Sequence, residues 1–212
     1  DGAVASDIVT FLHDSQVAYD AQITETVAAG PFMPVFVQDP VYAADGETGW
    51  TWNGAEADPN TGWAQFQYRA FANLALYYFL SGDPAAWEVV DTFRGWLAVH
   101  AATDEAGRVT GVPIAMVPGT EDVMVGDRTG DLALAAQALL YMSARTGSQA
   151  LREDARRLLD ALLARQDAEG AFPSDGVRFG YEQAEAGIAL ALYQLLPAGV
   201  RPDPLLAAMR DN

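Results

Sequence analysis

Three acidic residues stand at the starts of two apolar segments, where they could supply a pair of catalytic carboxyl groups. Asp131 opens the segment 131–145, and Glu182 and Glu185 open the segment 182–196. Glycoside hydrolysis uses two carboxyl groups about 5 to 9 Å apart, one as proton donor and the other as base or nucleophile. Acidic residues are also common in the first turn of any helix, because they interact favourably with its free N–H groups and its dipole. The sequence leaves helix capping, ligand contact and catalysis open.

A second set of residues has the side-chain types that recognise sugars, in which aromatic rings stack on the apolar faces of the sugar while polar groups bond its hydroxyls. We predict as ligand-binding Trp50, Trp52, Asp58, Asn60, Trp63, Gln67, Tyr68, Arg69 and Tyr181. The alternative for Trp50 and Trp52 is packing of a long loop onto the core. The alternative for Arg69 is a local ion pair, with Asp58 as one candidate partner.

Three nearly uniformly apolar segments could position these side chains as inner helices. They cover 63–80, 131–145 and 182–196, and a turn containing Gly82, Gly147 or Gly199 follows each of them. A helix that is apolar on all sides is typically buried on all sides. Amphipathic segments at 85–101 and 149–165, and the start of another at 204–210, alternate with the inner helices. The stretch 58–83 is predicted to be the element around which the rest of the chain is organised.

This alternation predicts an all-α fold of stacked αα-hairpins that form a partial or open α/α toroid, similar to those of glycosidases. The prediction is a single domain over 1–212, with an N-terminal helix in 1–30, an aromatic-rich loop in 31–62 and three hairpins in 63–212. Residues 103–126 are predicted as loop or a short β-hairpin. Three hairpins do not close a toroid, so we expect an open barrel, or further helices from a longer polypeptide or another subunit. Ligands of such folds bind at the mouth where the N-termini of the inner helices converge.

The composition excludes several classes of function. The 212 residues carry a net charge of −17, with 29 acidic residues against 12 basic ones, all of them Arg. Such a surface repels nucleic acid and anionic membranes. The absence of Cys removes disulfides, thiolate catalysis and Cys-ligated zinc. His13 and His100 are not spaced as metal ligands would be. The sequence contains no phosphate-binding or dinucleotide-binding glycine motif. No stretch is apolar enough to insert into a membrane. We therefore predict no cofactor and no metal.

Two local patterns resemble known families. The stretch from Gln166 to Phe172 resembles the Gln-x3-Gly-x-aromatic turn of α/α-toroid enzymes such as the terpene cyclases, where it joins an outer helix to the next inner helix; the acidic motif of the cyclases is not found. Residues 34–40 and 49–83, with Trp-x-Trp followed by Asp-Pro-Asn-Thr-Gly-Trp and Phe-Gln-Tyr-Arg, resemble an α/α-barrel region in large tail proteins of siphophages and gene transfer agents.

The second resemblance implies a virion tail or baseplate domain that binds bacterial surface glycan and assembles with other tail proteins. Its location would be the virion or the extracellular space, and otherwise the cytoplasm. Two alternatives remain open: a structural packing module of the tail without a ligand, and an α/α-barrel glycoside hydrolase or polysaccharide lyase. A hydrolase predicts two facing carboxyl groups, at least one with a raised pKa.

Overall fold

The computed structural model describes residues 67–116 and 123–200, together with five two-residue strands between residues 41 and 63. Over this part of the chain the fold is mostly helical. The helices are α1 (Gln67–Ser81), α2 (Pro84–His100), α3 (Thr129–Thr146), α4 (Gln149–Leu163) and α5 (Gly180–Leu195). The predicted N-terminal helix and the predicted helix at 204–210 lie outside the described residues.

The inner helices α1, α3 and α5 lie side by side and run in the same direction. At their beginnings, Arg128 pairs with Glu182, with 3.2 Å between Nη2 and Oε1. At their ends, Arg145 on α3 donates to the carbonyl of Phe79 on α1, and the N–H of Gly199 beyond α5 donates to the carbonyl of Ser143 on α3. Helices α1, α3 and α5 are therefore parallel neighbours, and α2 and α4 connect them along the chain.

Helix α3 occupies the centre of this arrangement. It packs against α1, α4 and α5, and all its residues from Thr129 to Ala144 except Tyr141 are buried. Its many alanines allow neighbouring helices to approach closely on every side. The expectation that the stretch 58–83 is the organising element is thus wrong in this detail, because α1 flanks the central helix.

The outer helices begin at good capping residues. Asp83 accepts a hydrogen bond from the N–H of Ala85 and precedes Pro84, and Ser148 accepts one from the N–H of Leu151. These bonds satisfy N–H groups that have no partner inside the helix. Helix α2 packs on α1 through stacked rings of Phe71 and Phe93, whose centroids are 4.4 Å apart.

Helix α5 departs from the expectation for an inner helix. Only Glu182, Ala186 and Ala189 are buried in it, whereas Ile188 is 46% exposed and Leu195 is 79% exposed. An apolar sequence shows that a helix face avoids water, but it does not show that a neighbour is present to cover that face.

The segment predicted as loop or β-hairpin is a small antiparallel sheet. Strand β7 (Val109–Met116) pairs with β8 (Val123–Gly126), with β6 (Ala102–Thr103) and with β5 (Gly62–Trp63). The stretch 38–62, expected to have no regular structure, contains two short hairpins. They consist of β1 (Val41–Tyr42) with β2 (Thr48–Gly49) and β3 (Thr51–Trp52) with β4 (Ala55–Glu56).

The Gln-x3-Gly-x-aromatic turn joins α4 to α5, as the resemblance implies. The side chain of Gln166 donates to the carbonyl of Gly170 at 3.0 Å, and Gly170 has a φ of 85°, which only glycine adopts easily. Phe172 is buried, and its backbone exchanges two hydrogen bonds with the side chain of Gln183 on α5. The turn therefore fixes where α5 begins.

Candidate functional site

The N-termini of the three inner helices converge, as the sequence predicts for the mouth of an α/α fold. Asp131 on α3 lies within electrostatic range of Tyr68 on α1 and of Glu182 on α5. Asp131 contributes to the raised pKa of Tyr68, and Glu182 contributes to that of Asp131. Two of the three predicted catalytic residues, Asp131 on α3 and Glu182 on α5, therefore lie close together in the fold.

Glu182 is completely buried and holds both of its carboxylate oxygens in hydrogen bonds. Oε1 accepts from Nε of Arg128 at 3.2 Å and from the hydroxyl of Tyr181 at 3.0 Å. Oε2 accepts from the hydroxyl of Ser174. Because a buried carboxyl group is costly unless its oxygens have hydrogen-bond partners, these donors stabilise Glu182 inside the protein.

Ser174 connects the turn before α5 to the beginning of α3. Its Oγ accepts from the N–H of Thr129 at 2.9 Å while its hydroxyl donates to Glu182. The adjacent Gly130 is needed for the close approach of α3 and α5, because a Cβ placed there would lie 3.1 Å from Cγ of Glu182. Sequence reasoning missed Ser174, since a single serine in a turn has no distinguishing pattern.

Asp131 differs from Glu182 in lacking a complete set of partners. Its side chain is 4% exposed, and its Oδ2 has no hydrogen-bond partner. Burial, opposed by the charge of Arg128 and assisted by that of Glu182, raises the pKa of Asp131 to about 7. A carboxyl group with this pKa carries its proton about half of the time at neutral pH. The cluster thus contains one carboxyl group in a full set of hydrogen bonds, Glu182, and one that is protonated at mildly acidic pH, Asp131.

Glu185 lies one turn further along α5, away from the two buried carboxyl groups. It is half-buried, and its Oε2 accepts from Nε2 of Gln137 on α3 at 2.9 Å. Gln137 also donates to the backbone carbonyl of Glu185. Among the three predicted catalytic residues, Glu185 is the one whose carboxylate reaches solvent.

Exposed aromatic rings border the cluster. Tyr181 is 46% exposed and Phe179 is 36% exposed, and their ring centroids are 6.1 Å apart. The guanidinium of Arg128 lies 5.5 Å from the centroid of the Phe179 ring and donates to the hydroxyl of Tyr181. Phe179 was not predicted, because a single aromatic residue before a helix is equally typical of the core.

Tyr68, predicted as a ligand contact, is buried in the core. Its hydroxyl donates to the carbonyl of Pro113 on β7 at 2.8 Å, and its ring packs edge-on against Phe93. Tyr68 therefore joins α1 to the sheet in this structure. Arg69, the next residue, is exposed.

The other six predicted ligand residues, or their side chains, lie outside the described part of the chain. Trp50, Asp58 and Asn60 lie outside the described residues, as do the side chains of Trp52, Trp63 and Gln67. The proposed ion pair of Arg69 with Asp58 stays a prediction for the same reason.

A separate cavity of about 150 Å³ lies between the outer helices, away from the carboxyl cluster. The end of α2 contributes Arg94 and Leu97, and α4 contributes Arg157 and Leu158. Its arginines are already paired, Arg94 with Asp91 and Arg157 with Asp154. We therefore place the candidate site at the helix N-termini, where the buried carboxyl groups of Asp131 and Glu182 lie.

Neither a metal cluster nor a membrane span is found within the described ranges. No three His, Asp or Glu side chains in 67–116 and 123–200 are grouped as metal ligands would be. Within the same ranges, every helix is too short or too polar to cross a bilayer.

Comparison with known proteins gives one similarity to a carbohydrate-active enzyme. No family model matches the chain. Exoglucanase B of Cellulomonas fimi is 30% identical to it over 122 residues. This similarity covers 50% of the chain and 11% of the exoglucanase, so the chain spans only a small part of that relative's length.

Proposed function

We propose that this chain is part of an α/α-type glycoside hydrolase, with its site at the converging N-termini of α1, α3 and α5. The observation that carries the proposal is the buried Asp131, whose pKa is raised to about 7 beside the anionic Glu182. A general acid must keep its proton near the working pH, and a carboxyl group does so only when its surroundings raise its pKa. The partial similarity to exoglucanase B supports a glucan as the substrate class.

In this proposal the three acidic residues have different roles. Asp131 donates a proton to the oxygen that leaves when the glycosidic bond breaks. Glu182, fixed by Arg128, Tyr181 and Ser174, keeps the proton on Asp131 through its negative charge. Glu185, which is half-buried, is the candidate base or nucleophile. Because Asp131 and Glu182 are both buried, contact with substrate requires the partly exposed side chains of Arg128 and Tyr181 to move.

The exposed rings of Phe179 and Tyr181 are suited to binding the glycan substrate. Sugar rings present apolar C–H faces, and burying apolar area against aromatic rings is favourable by about 25 cal/mol per Å². These rings stand next to the carboxyl cluster, so a glycan stacked on them would lie at its edge. Closure of the toroid by further helix pairs of a longer polypeptide belongs to the same proposal.

The test measures new reducing ends after incubation with soluble glucans and with bacterial surface polysaccharides. We expect activity that Asp131→Asn abolishes and that Asp175→Asn leaves intact, since Asp175 is an exposed neighbour of the cluster. Unsaturated ends in place of reducing ends would identify a lyase. Full activity in Asp131→Asn would contradict the assignment of the proton donor.

A structural role for the cluster is the second candidate, favoured by the complete set of hydrogen bonds around Glu182. In that case the cluster fixes α5 to α3 and the chain packs against neighbouring proteins. The native protein then binds none of the polysaccharides tested.

The tail or baseplate location stays a proposal that rests on the resemblance of residues 34–40 and 49–83. Part of the residues that carry that resemblance, including Trp50 and 58–61, lie outside the described part of the chain. A glycan-binding tail domain predicts polysaccharide binding without new ends, lost in Trp50→Ala, and co-purification with virion proteins.

A further inference from the structure

The cavity between the outer helices α2 and α4 has apolar walls. Its volume is about 150 Å³. The buried side chains of Leu97, Leu139 and Leu158 line it, and Ala98 and Ala101 stand where larger side chains would occupy the space. Because α2 packs chiefly on α1 and α4 packs chiefly on α3, the two outer helices do not fill the gap between them.

The residues that line the cavity are regularly spaced on both helices. The end of α2 contributes positions 94, 97, 98 and 101, and α4 contributes positions 154, 157 and 158. Residues three and four apart lie on the same face of a helix. Each outer helix therefore turns one face, partly apolar and partly charged, towards the cavity. Ala98, Thr103 and Arg157 are exposed, so the cavity opens at the surface of the protein.

The charged residues at the cavity are mainly basic, although the chain as a whole has a net charge of −17. They are Arg94, Arg157 and Asp154. Arg94 donates through Nε to Asp91 at 2.7 Å, and none of its hydrogen bonds to other described residues uses the two terminal nitrogens. Arg157 lies 3.7 Å from Asp154, which is too far for a hydrogen bond. Both guanidinium groups therefore keep N–H donors for a further acceptor.

We propose that this cavity binds a small carboxylic acid with an apolar body, such as an aromatic or short-chain aliphatic carboxylate. A cavity of about this volume with apolar walls can hold a molecule the size of benzene, whereas a water molecule needs about two to four polar partners. The ring or chain contacts the leucines, and the carboxylate accepts charge-assisted hydrogen bonds from Arg94 and Arg157. This site is separate from the carboxyl cluster and does not depend on cleavage of a glycan.

Benzoate is the probe, and its binding to the full 212-residue chain is measured by titration calorimetry. We expect saturable binding with a dissociation constant on the order of 0.1 to 1 mM, because so small a ligand gains limited binding free energy. Benzyl alcohol has the same ring without the charge and should bind at least about tenfold more weakly. Acetate has the charge without the ring and should give no saturable binding, which separates this site from a general effect of anions.

Substitution of neighbouring arginines locates the carboxylate of the probe. Arg157→Gln should weaken benzoate binding about tenfold, because it removes a charged donor. Arg156→Gln is the matched control, since Arg156 is the adjacent residue, pairs with Glu153 and Asp160 and does not line the cavity. Equal weakening by the two substitutions overturns the assignment of the donor, as does equal affinity of the native protein for benzoate and benzyl alcohol.

Two further variants test the position of the probe. Asp154→Asn should tighten benzoate binding, because it removes a negative charge that repels the carboxylate. Ala98→Leu should abolish binding by filling the cavity, and leucine is a good helix former at this exposed position. Circular dichroism verifies that each variant is folded. The absence of saturable binding at millimolar benzoate overturns the proposal, and so does unchanged affinity in Ala98→Leu.

Discussion

At the scale of single residues, Asp131 and Glu182 show how one cluster places two carboxyl groups in different surroundings. Glu182 has Arg128, Tyr181 and Ser174 as donors, whereas Asp131 is buried with one oxygen unpartnered. The donors favour the charged form and burial favours the neutral form. The sequence could predict both residues as members of one mouth, but not which of them carries a proton, because that depends on Ser174 and on the depth of burial.

Asp131→Asn should remove a pH dependence of stability between about pH 4 and pH 7. The pKa of Asp131 is about 7 in the folded protein against an ordinary value of 3.8, so the folded state binds more protons in this range. The raised pKa of Asp131 therefore contributes to the free energy of unfolding fully below pH 4, and this contribution is lost as the pH rises to 7. It totals on the order of 4 kcal/mol.

Denaturant unfolding across this pH range provides the measurement. The free energy of unfolding of the native protein should fall with rising pH more steeply than that of Asp131→Asn. Asp175→Asn, the matched change at an exposed position, should follow the native protein. Parallel curves for native protein and Asp131→Asn would show that Asp131 is ionised throughout.

At the scale of helices and turns, the pattern of the sequence is a good guide where local rules decide. Gly147 ends α3 with a φ of 76°, as its position after an apolar segment predicts. The burial of α3 follows in the same way from its uniform apolarity. The exposed face of α5 could not be predicted, because apolar periodicity does not reveal whether a neighbour exists. The depth of Tyr68 was missed because its partner, the carbonyl of Pro113, lies 45 positions away in sequence.

The same substitution should have opposite effects at two helix glycines. Gly147→Ala places a side chain at a left-handed residue and should cost about 1 kcal/mol of unfolding free energy. Gly187 lies inside α5, and a Cβ there would meet no atom within 4 Å. Gly187→Ala should therefore stabilise by about 0.5 to 1 kcal/mol, because alanine loses less backbone freedom on folding.

The free energies of unfolding of the two variants, measured by chemical denaturation at one pH, test this prediction. Because both changes add one methyl group, a shared effect of added apolar surface cancels between them. Destabilisation by Gly187→Ala would mean that its position is less open than the structure shows.

At the scale of the whole molecule, repulsion between charges destabilises the folded state, whereas apolar packing stabilises it. The net charge of −17 favours expansion, while α3 holds its neighbours together through close apolar contact. The exposed ion pairs on α4, such as Arg156 with Glu153 and Asp160, offset little of the repulsion, because pairs in water contribute at most about 1 kcal/mol each. Stability should therefore depend on the ionic strength of the solution.

Sodium chloride should raise the thermal unfolding midpoint of this protein at neutral pH. Added salt shortens the screening length, from about 30 Å at 0.01 M to about 10 Å at 0.1 M, and so reduces repulsion between distant carboxylates more than attraction within close pairs. Chloride is the better choice for the experiment, since sulfate strengthens apolar burial by itself. The internal control is a repeat near pH 4, where many carboxyl groups are protonated and the salt effect should shrink. A midpoint that falls with salt at neutral pH would show that the ion pairs outweigh the net negative charge.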